Sequence, residues 1–185
     1  MTARDILVTS SALSAAGRHL TEGGSVTHGE SQIDALVGAV KALEREGIRA
    51  VLIGGLAVGV RSGVPRATID VDLAAPSRTE RSQVVKALVE SGFTHQGSHE
   101  HSENFIHTTG EPVQVALDPE MDDSLDRAEP IAIAAETVFV VTTGDLIAMK
   151  ERSGKDPGRR RSKALRHLAD AALLREGPED LDAGW

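Results

Sequence analysis

The chain reads as an α/β domain. Three observations predict this. Apolar residues recur at helical spacing in several separate stretches. Short apolar or alternating runs of strand length stand between them, and Gly, Pro, Ser and Asp mark the changes of period. At 185 residues the chain is one domain with room for an appendage, and it is large enough to bury a stable core.

Composition excludes several classes. There is no Cys, hence no disulfide framework, no thiolate-bound zinc and no thiol nucleophile. No run is long enough to span a membrane. The Ile6-Leu7-Val8 patch is too short for the apolar part of a signal peptide, so the expected location is the cytoplasm. A net charge of −8 argues against a protein that coats nucleic acid. Three Phe, one Trp and no Tyr offer little for stacking single-stranded bases. A nucleic-acid end as substrate stays open.

Residues 1–30 are rich in Ser, Thr, Gly and Ala and read as a loosely anchored arm, with a short helix near 10–19. A core of 31–141 and a C-terminal helical segment of 142–185 follow. Residues 31–46 are a helix, with Ile33, Leu36, Val37, Val40 and Leu43 on one side and Gly47 ending it. Residues 48–53 are the first core strand.

The stretch 54–73 carries the chemistry. Gly54-Gly55 is a turn into a short helix, 56–61, which Gly63 and Pro65 break. Residues 67–73 then alternate, with Ile69, Val71 and Leu73 on one face and Asp70 and Asp72 on the other. Two carboxylates two residues apart on a strand lie roughly 7 Å apart along the chain. Like charges repel and resist burial, and a divalent cation relieves both costs. Mg²⁺ suits such a pair, because it takes one or two carboxylates and fills its other positions with water and phosphate oxygens. Backbone N–H groups of the Gly-Gly turn can approach a phosphate there. Arg66 either contacts a phosphate or pairs with an Asp, and Thr68 shares the face of the two Asp. Arg61 is another phosphate contact or a solvated side chain.

Residues 77–91 form an amphipathic helix with Ser77 and Glu80 as a capping box and Val84, Val85, Leu88 and Val89 as its buried side. Residues 93–109 read as a polar hairpin holding His95, His99, His101 and His107. No second ligand pair at zinc spacing accompanies them. Residues 112–117 are a strand with Val113, Val115 and Leu117 inward and Gln114, Ala116 and Asp118 on the opposite face. An acidic, exposed connection spans 122–129, and 131–141 supply one or two more strands. Thr142 or Thr143 caps a helix over 144–153 that contains Asp145-Leu146-Ile147-Ala148-Met149-Lys150. Residues 150–166 hold eight Lys or Arg against Glu151 and Asp156, a local charge of +6. In the last helix Leu165, Leu168, Ala172 and Leu173 form the expected core stripe. Lys163, Arg166, His167 and Asp170 share another face.

Gly54-Gly55, Arg66-Ala67-Thr68 and Asp70-Val71-Asp72 resemble the signature of DNA polymerase β-type nucleotidyltransferases. More narrowly, they resemble the minimal enzymes of the AbiEii/AbiGii toxin branch. The resemblance covers roughly residues 33–174. It implies a small mixed β-sheet with flanking helices and a C-terminal helical pair that completes the pocket. It also implies transfer of NMP from an NTP to an acceptor hydroxyl with Mg²⁺ or Mn²⁺. Gly54 and Gly55 would then cradle the phosphates, with Arg66, Thr68, Arg166 and Asp170 around the nucleotide. Asp70 and Asp72 would hold the metal, and Lys150, in a D-L-I-A-x-K motif, would neutralise the triphosphate. An RNA end is the favoured acceptor and an aminoglycoside-like small molecule the alternative. An antitoxin is the implied protein partner. The family places a third carboxylate on the strand where this chain has Ala116. Asp118, one step further along the same face, is the candidate substitute as third metal ligand. Loss of the third acid leaves a degenerate nucleotide- or partner-binding protein as the other alternative. His167 stands where the family has the first of two Asp, and Asp170 matches the second.

Overall fold

The computed structural model describes residues 2, 3, 5–8 and 28–177, and the side chains among them except those of residues 28–30. Helix α1 (His28–Arg45) buries Ile33, Leu36, Val40 and Leu43 along one side. It stops where Gly47 turns left-handed at φ 72° and the Ile48 N–H returns to the Leu43 carbonyl at 3.0 Å. Strand β1 (Val51–Leu52), helix α2 (Gly54–Ser62) and strand β2 (Val71–Ala74) follow, then helix α3 (Arg81–Glu90). Strands β3 (Thr94–His99), β4 (Ser102–Ile106) and β5 (Pro112–Ala116) form a meander. A short 3₁₀ turn (Pro119–Met121) leads to helix α4 (Asp122–Asp126) and the hairpin β6 (Glu129–Ile133) and β7 (Glu136–Val140). Helices α5 (Thr143–Lys155) and α6 (Arg161–Glu176) close the described chain.

The seven strands make one mixed sheet in the order β3-β4-β5-β2-β1-β7-β6. Strand β1 runs antiparallel to β2 and parallel to β7, and β2 runs parallel to β5. The two-residue β1 suffices because Val51 and Leu52 are completely buried and paired on both sides. Leu36, Leu52, Leu56, Leu73, Leu88, Phe105 and Leu146 fill the core. The Ile53 N–H donates to the Asp72 carbonyl at 2.9 Å, which sets the start of α2 beside the start of β2. Thr142 caps α5 by accepting the Asp145 N–H, as its sequence predicts.

Several expectations are corrected. Of the predicted strand 67–73 only Val71–Leu73 joins the sheet, in a β2 that runs on to Ala74, and Ile69 is 48% exposed. The ladder with β5 begins at Val71–Val113, so the alternation before it has no partner strand to answer. Ser77 caps no helix. Its N–H and Oγ both donate to the Asp122 carboxylate, at 2.8 and 2.7 Å, and α3 starts four residues later. Its buried side is Val84, Ala87 and Leu88, while Val89 is exposed. The acidic connection contains helix α4 with Leu125 buried. Of the predicted stripe of α6, Leu173 packs against the core, and the rest is displaced. Asp170, Ala171 and Leu174 are buried, whereas Leu165 is 56% exposed. Leu168 is 38% exposed and packs against Gly154. Ile6 and Leu7 are buried, and Leu7 belongs to the main core, so this part of the arm is anchored. The helix predicted near 10–19 and the tail beyond 177 lie outside the described residues. Among the described residues, no helix is long and apolar enough to cross a membrane.

Arg61 contacts backbone and a carboxylate. Its Nε and Nη2 donate to the Val141 and Val140 carbonyls, both at 2.8 Å, and Nη1 pairs with Glu129 at 2.7 Å. It therefore ties α2 to the end of β7. Arg61→Met should lower stability by about 2 kcal/mol, because two carbonyls lose a charged donor. Urea unfolding checks this, and an unchanged midpoint would show that water replaces the guanidinium at no cost.

Candidate active site

A cleft of about 740 Å³ opens where α2 and β2 begin, with α5 and α6 as its far wall. Asp70, Asp72, Gly54 and Gly55 lie on one side of it. Gly54 is required twice over. Its φ is +71°, and a Cβ there would sit 1.9 Å from Asp72 Oδ2. A Cβ on Gly55 would sit 2.7 Å from Thr68 Oγ1. The two glycines thus let the backbone at the start of α2 press against the carboxylate strand. No side chain caps this helix, and the Gly55 N–H donates to the Asp72 carboxylate.

Asp72 titrates abnormally. Burial is the main cause and the neighbouring Asp70 charge the second. Lys150 and the Gly55 N–H offset them only in part, and the pKa rises from 3.8 to about 6. A carboxylate pushed toward protonation by a second carboxylate is the donor set that a hard cation completes. Among the described residues, no cluster of three or more acidic or His side chains forms an all-protein metal cage. Two carboxylates facing an open cleft fit Mg²⁺, whose remaining positions go to phosphate and water.

The far wall is cationic and tightly paired. Lys150 Nζ donates to Asp170 Oδ2 at 2.9 Å, and Arg66 Nε donates to Asp170 Oδ1 at 2.5 Å. Lys150 and Asp170 are both buried. Asp170 therefore orients Lys150 and Arg66, and it forms no ion pair with Arg166. Lys163 and Arg166 also line the cleft, are exposed, and make no ion pair with any described residue. His167 lies beside them. Burial first, then the Lys150 and Arg159 charges, hold its pKa below the usual value. Arg159 Nη1 donates to His167 Nε2 at 3.3 Å, which assigns the ring proton to Nδ1. A neutral side chain thus occupies this position.

Asp118 does not join the pair. Its Oδ1 accepts the Glu120 N–H at 3.0 Å and caps the 3₁₀ turn. The register shows why. Asp72 lies opposite Gln114 on β5, and Ala116 lies opposite Ala74. Asp118 is four residues past Gln114, roughly 13 Å along the chain. The place beside Asp72 on the cleft face belongs to Gln114, two residues before Ala116, where the resemblance implies the third acid.

Gln32 escaped sequence reasoning as well. It is 1% exposed, and its Nε2 donates to the Thr68 and Ile69 carbonyls at 2.9 and 3.0 Å. These two carbonyls precede Asp70, in a segment that no strand pairs. The available signal was its spacing: Gln32, Leu36, Val40 and Leu43 follow one stripe of α1, and a polar member of an apolar stripe needs a partner. The His-rich hairpin serves packing. His95 Nε2 and Ser98 Oγ bond to the buried Glu103 carboxylate at 2.8 and 2.7 Å, and Arg81 pairs with the same group. A second groove, between α3 and this hairpin, is lined by Val85, Val89 and Arg81 and lies apart from the Asp pair.

The sequence model of a family described as "Nucleotidyl transferase AbiEii toxin, Type IV TA system" matches residues 35–185. No curated protein matches the chain. Among solved structures, the antibiotic-resistance factor ANT(2'')-Ia superposes with a TM-score of 0.60 at 17% identity, over 83% of this chain and 89% of that one. The lincosamide antibiotic adenylyltransferase LnuA gives 0.54 at 12% identity, over 75% and 95%. An antigenic nucleotidyltransferase-like protein from Paracoccidioides brasiliensis gives 0.51 at 19%, over 78% and 77%. At these identities the likeness is one of fold, and the mixed sheet with its flanking helices is that of nucleotidyltransferases.

Two outcomes follow from the geometry. Because the folded pKa of Asp72 is raised, its ionisation opposes folding, and the cost appears as pH rises through about 6. Asp72→Asn should therefore melt roughly 5 °C above wild type at pH 8, and the two should converge near pH 4. A constant difference across that range would contradict the raised pKa. Gln32→Met keeps volume and removes both donors. It should speed amide exchange across residues 66–70 by about tenfold or more while the core strands keep their protection. Unchanged exchange would show that other contacts hold the segment.

Proposed function

We propose, for a chain that belongs to the AbiEii family of nucleotidyl transferase toxins, that this cleft transfers an NMP unit from an NTP to an acceptor hydroxyl. The supporting observation is the convergence, across one cleft, of Asp70 and Asp72 with the glycine-led start of α2, Lys150 and Arg66. Asp70 and Asp72 would hold Mg²⁺ through their carboxylates. Bound there, the ion supplies positive charge against the phosphate oxygens. Gly54 and Gly55 bring backbone close to the phosphates. Lys150 has two N–H donors beyond the one given to Asp170, and its charge lies toward Asp72. Thr68 shapes the turn against Gly55. The acceptor oxygen attacks the α-phosphorus in line, its proton leaves to solvent, the bond from phosphorus to the bridging oxygen breaks, and pyrophosphate departs.

The acceptor reading rests on charge. Lys163 and Arg166 stand at the lip with no ion pair to any described residue, Arg160 and Arg161 are exposed nearby, and His167 is uncharged where a carboxylate would otherwise moderate them. A polyanion gains from this surface, whereas a polycationic aminoglycoside is repelled by it. An RNA end is therefore favoured over a small cationic acceptor. An antitoxin partner and a cytoplasmic setting accompany this reading.

Transfer of labelled NMP from each of the four NTPs into total RNA, with Mg²⁺ or Mn²⁺, tests it. Wild type should label RNA, and Asp70→Ala should lower labelling by at least about a hundredfold while keeping its fold. Labelling of an aminoglycoside panel but not of RNA would reverse the acceptor assignment. Equal labelling by wild type and Asp70→Ala would remove the Asp pair from the chemistry.

A further inference from the structure

We propose that Gln114 occupies the third-ligand position beside Asp72, so that the site holds one divalent cation, carried in by the nucleotide, and uses the Gln114 carboxamide to orient the acceptor hydroxyl. This rests on the transfer reading and adds to it the metal count and the group that meets the nucleophile.

The register carries the argument. Strands β2 and β5 run parallel with Val71 opposite Val113, Asp72 opposite Gln114 and Leu73 opposite Val115. The four valines and leucines of this set are buried, so the pair between them faces the other way, into the cleft that both residues line. Side chains directly opposite on neighbouring strands stand roughly 5 Å apart, within reach of a shared ligand. Asp118, the remaining carboxylate on this side of β5, is committed to the Glu120 N–H.

The state of the carboxamide supports a role toward substrate. Gln114 Nε2 donates to Ser102 Oγ at 3.0 Å, and Ser102 is buried on β4. With the nitrogen end of the amide on Ser102, the end left over is the carboxamide oxygen. The carboxamide oxygen has no hydrogen-bond donor among the described residues and is not among the buried unpaired atoms, so it is solvated in the cleft. An amide oxygen cannot take a proton at neutral pH, but it can accept a hydrogen bond from a hydroxyl and hold its oxygen in line. A third carboxylate would add a negative charge beside the two that Asp70 and Asp72 already bring to the cleft. A neutral amide adds none, and a single cation then balances the two carboxylates.

The experiment is a Mn²⁺ titration followed by electron paramagnetic resonance of the free ion, on the full chain with a non-hydrolysable α,β-methylene NTP. Wild type should retain one Mn²⁺ per protein–nucleotide complex. Gln114→Asp should retain two, because the new carboxylate stands where a second ion can bridge to Asp72. Gln114→Ala should retain one and bind the nucleotide as wild type does, while its transfer rate at saturating NTP falls by roughly tenfold or more. One ion in both wild type and Gln114→Asp would overturn the assignment of the third position. Wild-type transfer by Gln114→Ala would overturn the orienting role. Two ions in wild type would overturn the single-cation count. Failure of all three proteins to bind Mn²⁺ with nucleotide would overturn the transfer reading itself, and this proposal with it.

Discussion

The Asp170 carboxylate, bridging Lys150 and Arg66, is the constraint on which the far wall of the cleft depends. It joins three pieces of chain that are remote in sequence: α6, α5 and the extended segment before β2. A buried carboxylate without a partner costs several kcal/mol, so the helix that carries it must turn it toward its cations. The rotation of α6 follows from that requirement. Leu165 and Leu168 are left largely at the surface, and Ala171 and Leu174 go inward with Asp170. Burial of apolar area alone would choose another face, and the ion pairs override it. The same bridge holds Lys150 and Arg66 at the cleft as donors whose directions are already set, which lowers the ordering cost of meeting an anion.

The near wall is built on the opposite principle. Asp70 and Asp72 are like charges two residues apart, one just before β2 and one on it, and Asp72 is pressed against the start of α2. The fold offers it one backbone N–H and a distant share of the Lys150 charge, and both fall short of restoring an ordinary carboxylate. Strain of this electrostatic kind is absent from the paired Glu103 cluster in the β3–β4 hairpin. There Ser98, His95 and Arg81 outweigh burial and hold the carboxyl below its usual range. One molecule thus contains a satisfied acid and an unsatisfied one, and the unsatisfied one faces the cleft.

Much of this was legible in the sequence for a physical reason. The Gly54-Gly55 turn, the Asp70–Asp72 spacing and the Lys150 helix are local patterns, in which neighbours along the chain are neighbours in space. Helix α1, the Thr142 cap and the α5 boundaries follow from the same locality. What escaped was long-range. The true start of β2 depends on β5, the partner of Ser77 is Asp122, and the rotation of α6 is set by Lys150 and Arg66. Register is the sharpest case. A strand's alternation tells which residues share a face, as it does for Gln114 and Ala116, whereas Asp118 lies past the end of β5. Alternation does not tell which of the three stands beside Asp72, because sliding by two residues keeps every side chain on its face.

That two-residue ambiguity changes the chemistry. Had Ala116 faced Asp72, the cleft would lack any polar group in the third position, and Asp118 would stand one step away. With Gln114 there, the position is polar but uncharged, and its other end is held by Ser102. His167 repeats the theme on the opposite wall, where a neutral ring stands among cations. Each neutral group lessens negative charge inside the cleft while the lip keeps its exposed Lys163 and Arg166. For the transfer proposed above, this balance would favour anionic partners on both sides: a triphosphate at the Asp pair and an acceptor that brings its own phosphates to the lip.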